Sequence, residues 1–140
     1  SGAIAWRTGF LKTTIIDIVE NHGSLTAVID ASFTCHMPDC LEMPYRPEIL
    51  EGSKDPKKHS FRYNLGGISC LAGDFLEGYS FVKPLKIGDT LTFQDMMHYT
   101  MVKTTMFNGI NHPSIGVIRS DQNFELLKVF SYKDYRDKLS

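Results

Sequence analysis

Turn signals interrupt this 140-residue chain at short intervals and restrict it to short elements. Asn21-His22-Gly23 is one such signal. Pro38, Pro44, Pro47 and Pro56 crowd the next stretch; Gly66-Gly67, Pro84 to Asp89 and Asn108-Gly109 follow. A proline lacks the amide that a helix interior or a central strand uses. Residues 34–60 are therefore predicted to hold no regular helix, and any strand among them to lie at an edge.

The stretches between these signals are rich in strand formers. Ile4, Phe10, Leu11, Ile15, Ile16, Ile18 and Val19 are too closely spaced for one helical stripe, and Trp6, Thr8, Thr13 and Thr14 add to the strand character. With Leu25 to Ile29 beyond the turn, residues 3–29 are predicted to form a hairpin. Phe61 to Leu65 and Leu91 to Phe93 read as further strands, and Glu51 to His59 as a surface loop. Residues 95–107 and 124–130 fit helix or strand equally, and Tyr132 to Ser140 fits a short helix or a tail. The expected fold is mainly β, a sandwich or barrel-like domain with minor helix.

Composition narrows the class. At 42% hydrophobic and 22% charged residues the chain suits one globular domain spanning residues 1–140. A formal net charge of −1 gives no field for nucleic acid or an anionic membrane. No apolar run reaches the roughly 18 residues of a membrane span, and no charged-then-apolar leader is present. The expectation is a cytoplasmic protein without a membrane partner. Cys35, Cys40 and Cys70 are odd in number, which argues for free thiols in a reducing compartment. Together with His36 they could be read as a zinc set, but no second close pair completes it, so no metal is expected.

Four segments, in this order, resemble one family: Ala3-Ile4-Ala5-Trp6; Cys35-His36-Met37-Pro38-Asp39 with Leu41 to Pro47 behind it; Gly66-Gly67-Ile68-Ser69-Cys70-Leu71-Ala72-Gly73-Asp74; and Asp95 to Gly109. Their spacing is similar to that of the carboxynorspermidine/carboxyspermidine decarboxylases, relatives of the ornithine and diaminopimelate decarboxylases. The resemblance implies the carboxyl-terminal β-domain, of sandwich or Greek-key type, of an enzyme dependent on pyridoxal 5'-phosphate (PLP). It implies a (β/α)₈ barrel ahead of this domain, with the cofactor's lysine on the barrel. It also implies a homodimer with active sites at the subunit boundary. The reaction implied is loss of carbon dioxide from carboxynorspermidine or carboxyspermidine in polyamine biosynthesis, and this domain alone is expected to be inactive.

The same resemblance gives roles to individual residues, each with a plainer alternative. Cys70 would be the acid that protonates the carbon left by carbon dioxide; a thiol, ordinarily titrating near pH ~8.5, suits proton donation near neutrality. Its alternative is a small buried hydrophobe. Asp39 and Asp74 would receive the substrate's amine; either is otherwise a loop aspartate bonded to its own backbone. In the relatives an acid directly follows the cysteine, and here Leu71 stands in that place, so Asp74 is a shifted candidate. His36 would line the pocket of Asp39, or be an ordinary loop histidine. Tyr99 would bond the PLP phosphate of its own chain, or lie half-buried in a sheet. Phe107 would line the partner subunit's pocket, or sit in the core. The rival readings are a diaminopimelate, ornithine or arginine decarboxylase, against which Leu71 speaks, and a non-catalytic β-module.

Overall fold

The computed structural model describes residues 8–140, so the predicted strand residues Ile4 and Trp6, and with them the segment Ala3 to Trp6, lie outside the described residues. The predicted hairpin forms from β1 (Phe10–Asn21) and β2 (Ser24–Ile29). His22 and Gly23 both take positive φ, 49° and 78°, the backbone that matches the twist of a two-residue hairpin loop. An irregularity between Ile15 and Asp17 resets the alternation of β1. Ile15 thereby points into the core at 0% exposure while Ile16 stays 46% exposed.

β1 also changes partner along its length. Phe10 to Thr14 pair with β6 (Thr90–Gln94), whereas Ile15 to Asn21 pair with β2. The six-stranded sheet curls, in the order β3-β5-β4-β2-β1-β6, with β3 (Gly52–Ser53), β4 (Phe61–Gly66) and β5 (Phe75–Phe81) on one side. All its pairings are antiparallel except β2 with β4, where Ala27 lies opposite Leu65. The mainly β expectation is met.

The proline-rich stretch departs from the reading that excluded helix. Two single turns form there, α1 (Phe33–His36) and α2 (Asp39–Glu42). Ser32 caps α1, its hydroxyl accepting from the Cys35 amide at 3.0 Å. Pro38, at φ −59°, leads into α2, where an amide would have no partner anyway. Here the proline starts a helical turn instead of forbidding one. β3 falls within Glu51 to His59, read from the sequence as a surface loop, and is a two-residue strand at the sheet edge, the position expected of any strand in this stretch.

Residues 95–107 form no long element: α3 (Tyr99–Val102) is one turn, and a 3₁₀ turn covers Phe107–Gly109. Two later strands, β7 (Ile115–Ile118) and β8 (Phe124–Lys128), pair as a separate hairpin. The terminal α4 (Tyr132–Leu139) is a helix whose start is fixed by a reciprocal Ser131–Asp134 cap.

The core lies on the concave face. Ile15, Ile29, Leu65, Tyr79, Phe81, Leu91 and Phe93 come from the sheet, and Phe33, Met37 and Cys40 from α1 and α2. Phe33 packs edge-on against Phe93 with ring centroids 6.0 Å apart. Burying each such side chain contributes about 1.5–3 kcal/mol. That burial pins α1 and α2 to the sheet and sets the position of Asp39, which begins α2.

Candidate active site

Three structural units carry the candidate residues: the β4–β5 loop, the crossover from β2 to β4, and the segment after β6 that holds Tyr99 and Phe107. The loop is organised by Asp74, which is 4% exposed. Its Oδ2 accepts from the Ser69 amide at 2.9 Å and its Oδ1 from the Thr34 amide at 3.0 Å. Its own carbonyl accepts from Gly67 N at 2.8 Å, and its amide donates to Leu71 O at 2.9 Å. Gly67 has to be glycine because a Cβ there would run into the Asp74 carboxylate. The Ile68 amide donates to Ala31 O at 3.1 Å, tying the loop to the segment ahead of α1. Cys70 follows Ser69 and is exposed. The loop thus holds a free thiol in solvent on a backbone clamped by a carboxylate.

The crossover supplies the second unit. Asp39, at the start of α2, lines a cleft of about 400 Å³ together with Tyr99, Arg46, Glu48, Asp95 and His98. The structure thus brings Asp39 and Tyr99 to one concavity from positions far apart in the chain. Tyr99 is 57% exposed, and its phenol has no hydrogen-bond partner among the described residues. Such a phenol fits a phosphate acceptor arriving from outside this chain. Arg46 frames the cleft by donating from Nη1 to Gly78 O at 2.9 Å and to Glu77 O at 3.3 Å. Burial pushes the Cys40 thiol up to about 11 and the phenol of Tyr45, which lines the cleft, well above its ordinary value, so both are protonated at neutral pH.

His36 lies apart from this cleft. It is 3% exposed and lines a second, more apolar concavity of about 580 Å³ with Met96, Met97, Met101, His112 and Phe130. Its Nε2–H donates to Asn111 O at 3.0 Å while Nδ1 accepts from the Ser32 amide at 3.2 Å. Burial lowers its pKa, so the imidazole is neutral and fully bonded at neutral pH. Phe107 is exposed at the start of the 3₁₀ turn, and its carbonyl accepts from Cys35 Sγ at 3.6 Å. Cys70, Asp74 and Phe107 line neither concavity among the described residues. The three thiols do not converge: Cys35 and Cys40 are buried, Cys70 is exposed.

The sequence reading missed one charged group, Lys103. Its ammonium bonds Glu42 and stands 3.4 Å from Asp39 Oδ1. These hydrogen bonds raise its pKa, with Glu42 the larger cause. The available signal was a single cation in the otherwise uncharged run from Met96 to Phe107.

Comparison with known proteins identifies the family of this sheet domain. Residues 7–97 match the family described as pyridoxal-dependent decarboxylase, C-terminal sheet domain. The chain is 58% identical over 137 residues to a carboxyaminopropylagmatine decarboxylase of Synechocystis sp., covering 98% of this chain and 35% of that one. It is 42% identical over 143 residues to a carboxynorspermidine/carboxyspermidine decarboxylase of Campylobacter jejuni, covering 95% of this chain and 37% of that one. The crystal structure of the C. jejuni carboxynorspermidine decarboxylase complexed with norspermidine superposes with a TM-score of 0.90 at 39% identity, over 98% of this chain and 40% of that one. The chain therefore spans little more than a third of the length of these curated relatives. Among the described residues no helix is long and apolar enough to cross a membrane. The match over residues 7–97, which spans β1 to β6, and the identities of 58% and 42% over nearly the whole chain place it in the pyridoxal-dependent decarboxylase family, as a C-terminal sheet domain.

Proposed function

We propose that this chain is the carboxyl-terminal part of a PLP-dependent carboxy-lyase of polyamine biosynthesis. Its substrate is an α-amino acid extended by a cationic chain, of the carboxynorspermidine or carboxyspermidine type, and its products are the polyamine and carbon dioxide. The observation that carries this reading is the shared cleft of Asp39 and Tyr99, an anion for the substrate's cationic tail beside a phenol for a phosphate. The barrel that holds most of the PLP contacts precedes this domain, and two subunits complete each site. The compartment proposed is the cytoplasm.

Within that enzyme the chemistry PLP supplies when bound is an electron sink for the bond that releases carbon dioxide. The residues of this chain do the rest of their work on protons and charge. Tyr99 donates its hydroxyl hydrogen to the phosphate and orients it. Asp39 accepts from the distal cation and sets the substrate's depth. Cys70, exposed on its clamped loop, reaches the partner subunit's site and delivers a proton to the α-carbon; Phe107 closes that site on its apolar side. Asp74 works through Cys70, fixing the backbone on which the thiol stands.

The relative with 58% identity favours a second reading of the distal group, since agmatine ends in a guanidinium and not in a primary amine. Asp39 serves either, because a carboxylate pairs with both. Steady-state assays of the complete enzyme on both substrate types separate them. In the same enzyme, Cys70→Ser and Cys70→Ala are expected to bind substrate normally and lose about 10²–10⁴-fold in turnover, the usual contribution of a general acid. Turnover per bound PLP close to the parent value, with unchanged product, refutes the role of Cys70.

A further inference from the structure

Two carboxylates share one ammonium beside the cleft. Asp39 has 13% of its side chain exposed, Glu42 57% and Lys103 33%. Lys103 Nζ bonds closely to Glu42 Oε2 but stands 3.4 Å from Asp39 Oδ1, beyond the ~2.7–2.9 Å of a strong charged hydrogen bond. Asp39 Oδ2 accepts no hydrogen bond among the described residues. Of the three side chains, Asp39 is the one that lines the cleft. The lysine is therefore held chiefly by the outer acid and only loosely by the inner one. Counting charges, Asp39 and Glu42 give −2 and Lys103 gives +1, leaving −1 for one further cation.

We propose that Lys103 is the resident counter-ion of Asp39, drawn aside by Glu42, and that its competition with the substrate's distal cation sets the affinity of the cleft. The inference rests on the reading of Asp39 as the acceptor of that cation. The mechanism is a division of one ammonium between two acids. When Glu42 holds Lys103, Asp39 is open to a ligand. When Glu42 is neutral, Lys103 moves to Asp39 and shuts the ligand out. A distal ammonium or guanidinium then completes the set at net zero, so one terminal positive charge is favoured at this point. Lys103 is a positioning residue in this scheme, because it acts on the ligand only through Asp39.

The two flanking substitutions move affinity in opposite directions. In the complete enzyme, Glu42→Gln is expected to raise KM for carboxynorspermidine, and the dissociation constant of norspermidine measured by calorimetry, by about three- to fivefold, the span of a partly screened ion pair. Lys103→Met is expected to lower both by a similar factor, and kcat stays near the parent value in each. If Lys103 merely clips α2 to α3, both substitutions break the clip and weaken binding together, which overturns the proposal. Bulk charge is separated by a double-mutant cycle. In an Asp39→Asn background the effect of Lys103→Met is expected to vanish, and its persistence overturns direct competition. Unshifted KM and binding constants overturn it too. Failure of the underlying function is distinguishable, since it shows in the unmodified enzyme as no carbon dioxide released and no norspermidine bound, and the inference then falls with it.

Discussion

Asp74 Oδ2 and the Ser69 amide are 2.9 Å apart, one residue before the exposed thiol of Cys70. The same carboxylate bonds the Thr34 amide at 3.0 Å, so one buried acid joins the β4–β5 loop to the start of α1. Asp74→Ala leaves two amides without partners in a poorly hydrated site. The expected loss is about 2–3 kcal/mol of unfolding free energy, in the range for orphaned buried donors, measured by urea denaturation.

Gly67→Ala tests the same loop from the other side. Its methyl would collide with the Asp74 carboxylate, which has little room to retreat. Stability is expected to fall by about 1–3 kcal/mol as for overpacking. In the complete enzyme turnover is expected to fall along with it, because the backbone under Cys70 shifts. Cys70→Ala, by contrast, is expected to leave the denaturation midpoint within about 0.5 kcal/mol of the parent, since the side chain is exposed.

His36 predicts a pH dependence with a definite sign. Burial lowers its folded pKa below 6.5, with His112 adding to the lowering and Asn111, Asp74 and Asp30 opposing it. The unfolded chain therefore binds the proton more readily than the folded one. Stability is full above the unfolded value and is lost as pH falls from about 6.5 through the folded value. Denaturation midpoints are expected to decline between about pH 7 and 5. His36→Gln is expected to flatten that slope in part, the remainder belonging to His112, which burial also lowers. The lowered carboxyls of Asp121 and Asp134 act only in more acidic solution.

Tyr79 is fully buried in β5 and donates to Pro47 O at 3.0 Å, fastening the proline segment over the sheet. Tyr79→Phe keeps the ring and removes the bond. The expected cost is about 1 kcal/mol, read as a shift in denaturation midpoint at constant slope.

The chain by itself is expected to form no lasting covalent adduct with PLP. Its lysines include Lys83 and Lys103. Lys103 is held as a raised-pKa ammonium by Glu42 and Asp39, so it offers little free amine for attack on an aldehyde. Incubation with PLP, borohydride reduction, dialysis and peptide mapping are expected to find no single labelled lysine at stoichiometric yield.

The parts of this fold that could be read from the sequence are those fixed by neighbouring residues. The β1–β2 hairpin follows from Asn21-His22-Gly23 between two β-branched runs, and the turn at Lys86–Asp89 from its own glycine and aspartate, where Lys86 N meets Asp89 Oδ2 at 2.9 Å. The parallel register of Ala27 with Leu65 had no local signal, because nothing in either strand records its distant partner. α2 was hidden because Pro38 was read as a breaker when it stands at a helix start. Asp39 and Tyr99 were named through a resemblance, and neither residue's surroundings announced the cleft they share. Lys103 meets Asp39 across 64 residues of chain, a distance over which charge pattern alone carries no pairing rule. Asp74 suited a loop clamp and a ligand acid equally well on paper; the two amides on its oxygens are what separate those roles.

The lone parallel pair has a consequence for how such a domain changes over time. Because β2 and β4 run in the same direction, the polypeptide must return the length of the sheet between Ile29 and Phe61 before β4 can pair with β2. That return path holds Asp39, Glu42 and the Arg46 brace, and it is bound to the sheet by Phe33 and Met37 in the core, by β3 against β5, and by the Leu50 N–Thr92 O and Gln94 N–Glu48 O bonds to β6. The proposed cation site thus takes Asp39 and Glu42 from this one segment, and Tyr99 and Lys103 join it from beyond β6. On the proposed reading of Asp39, a lineage can retune which cation it accepts by changing exposed positions such as Glu42 while the strands keep their register.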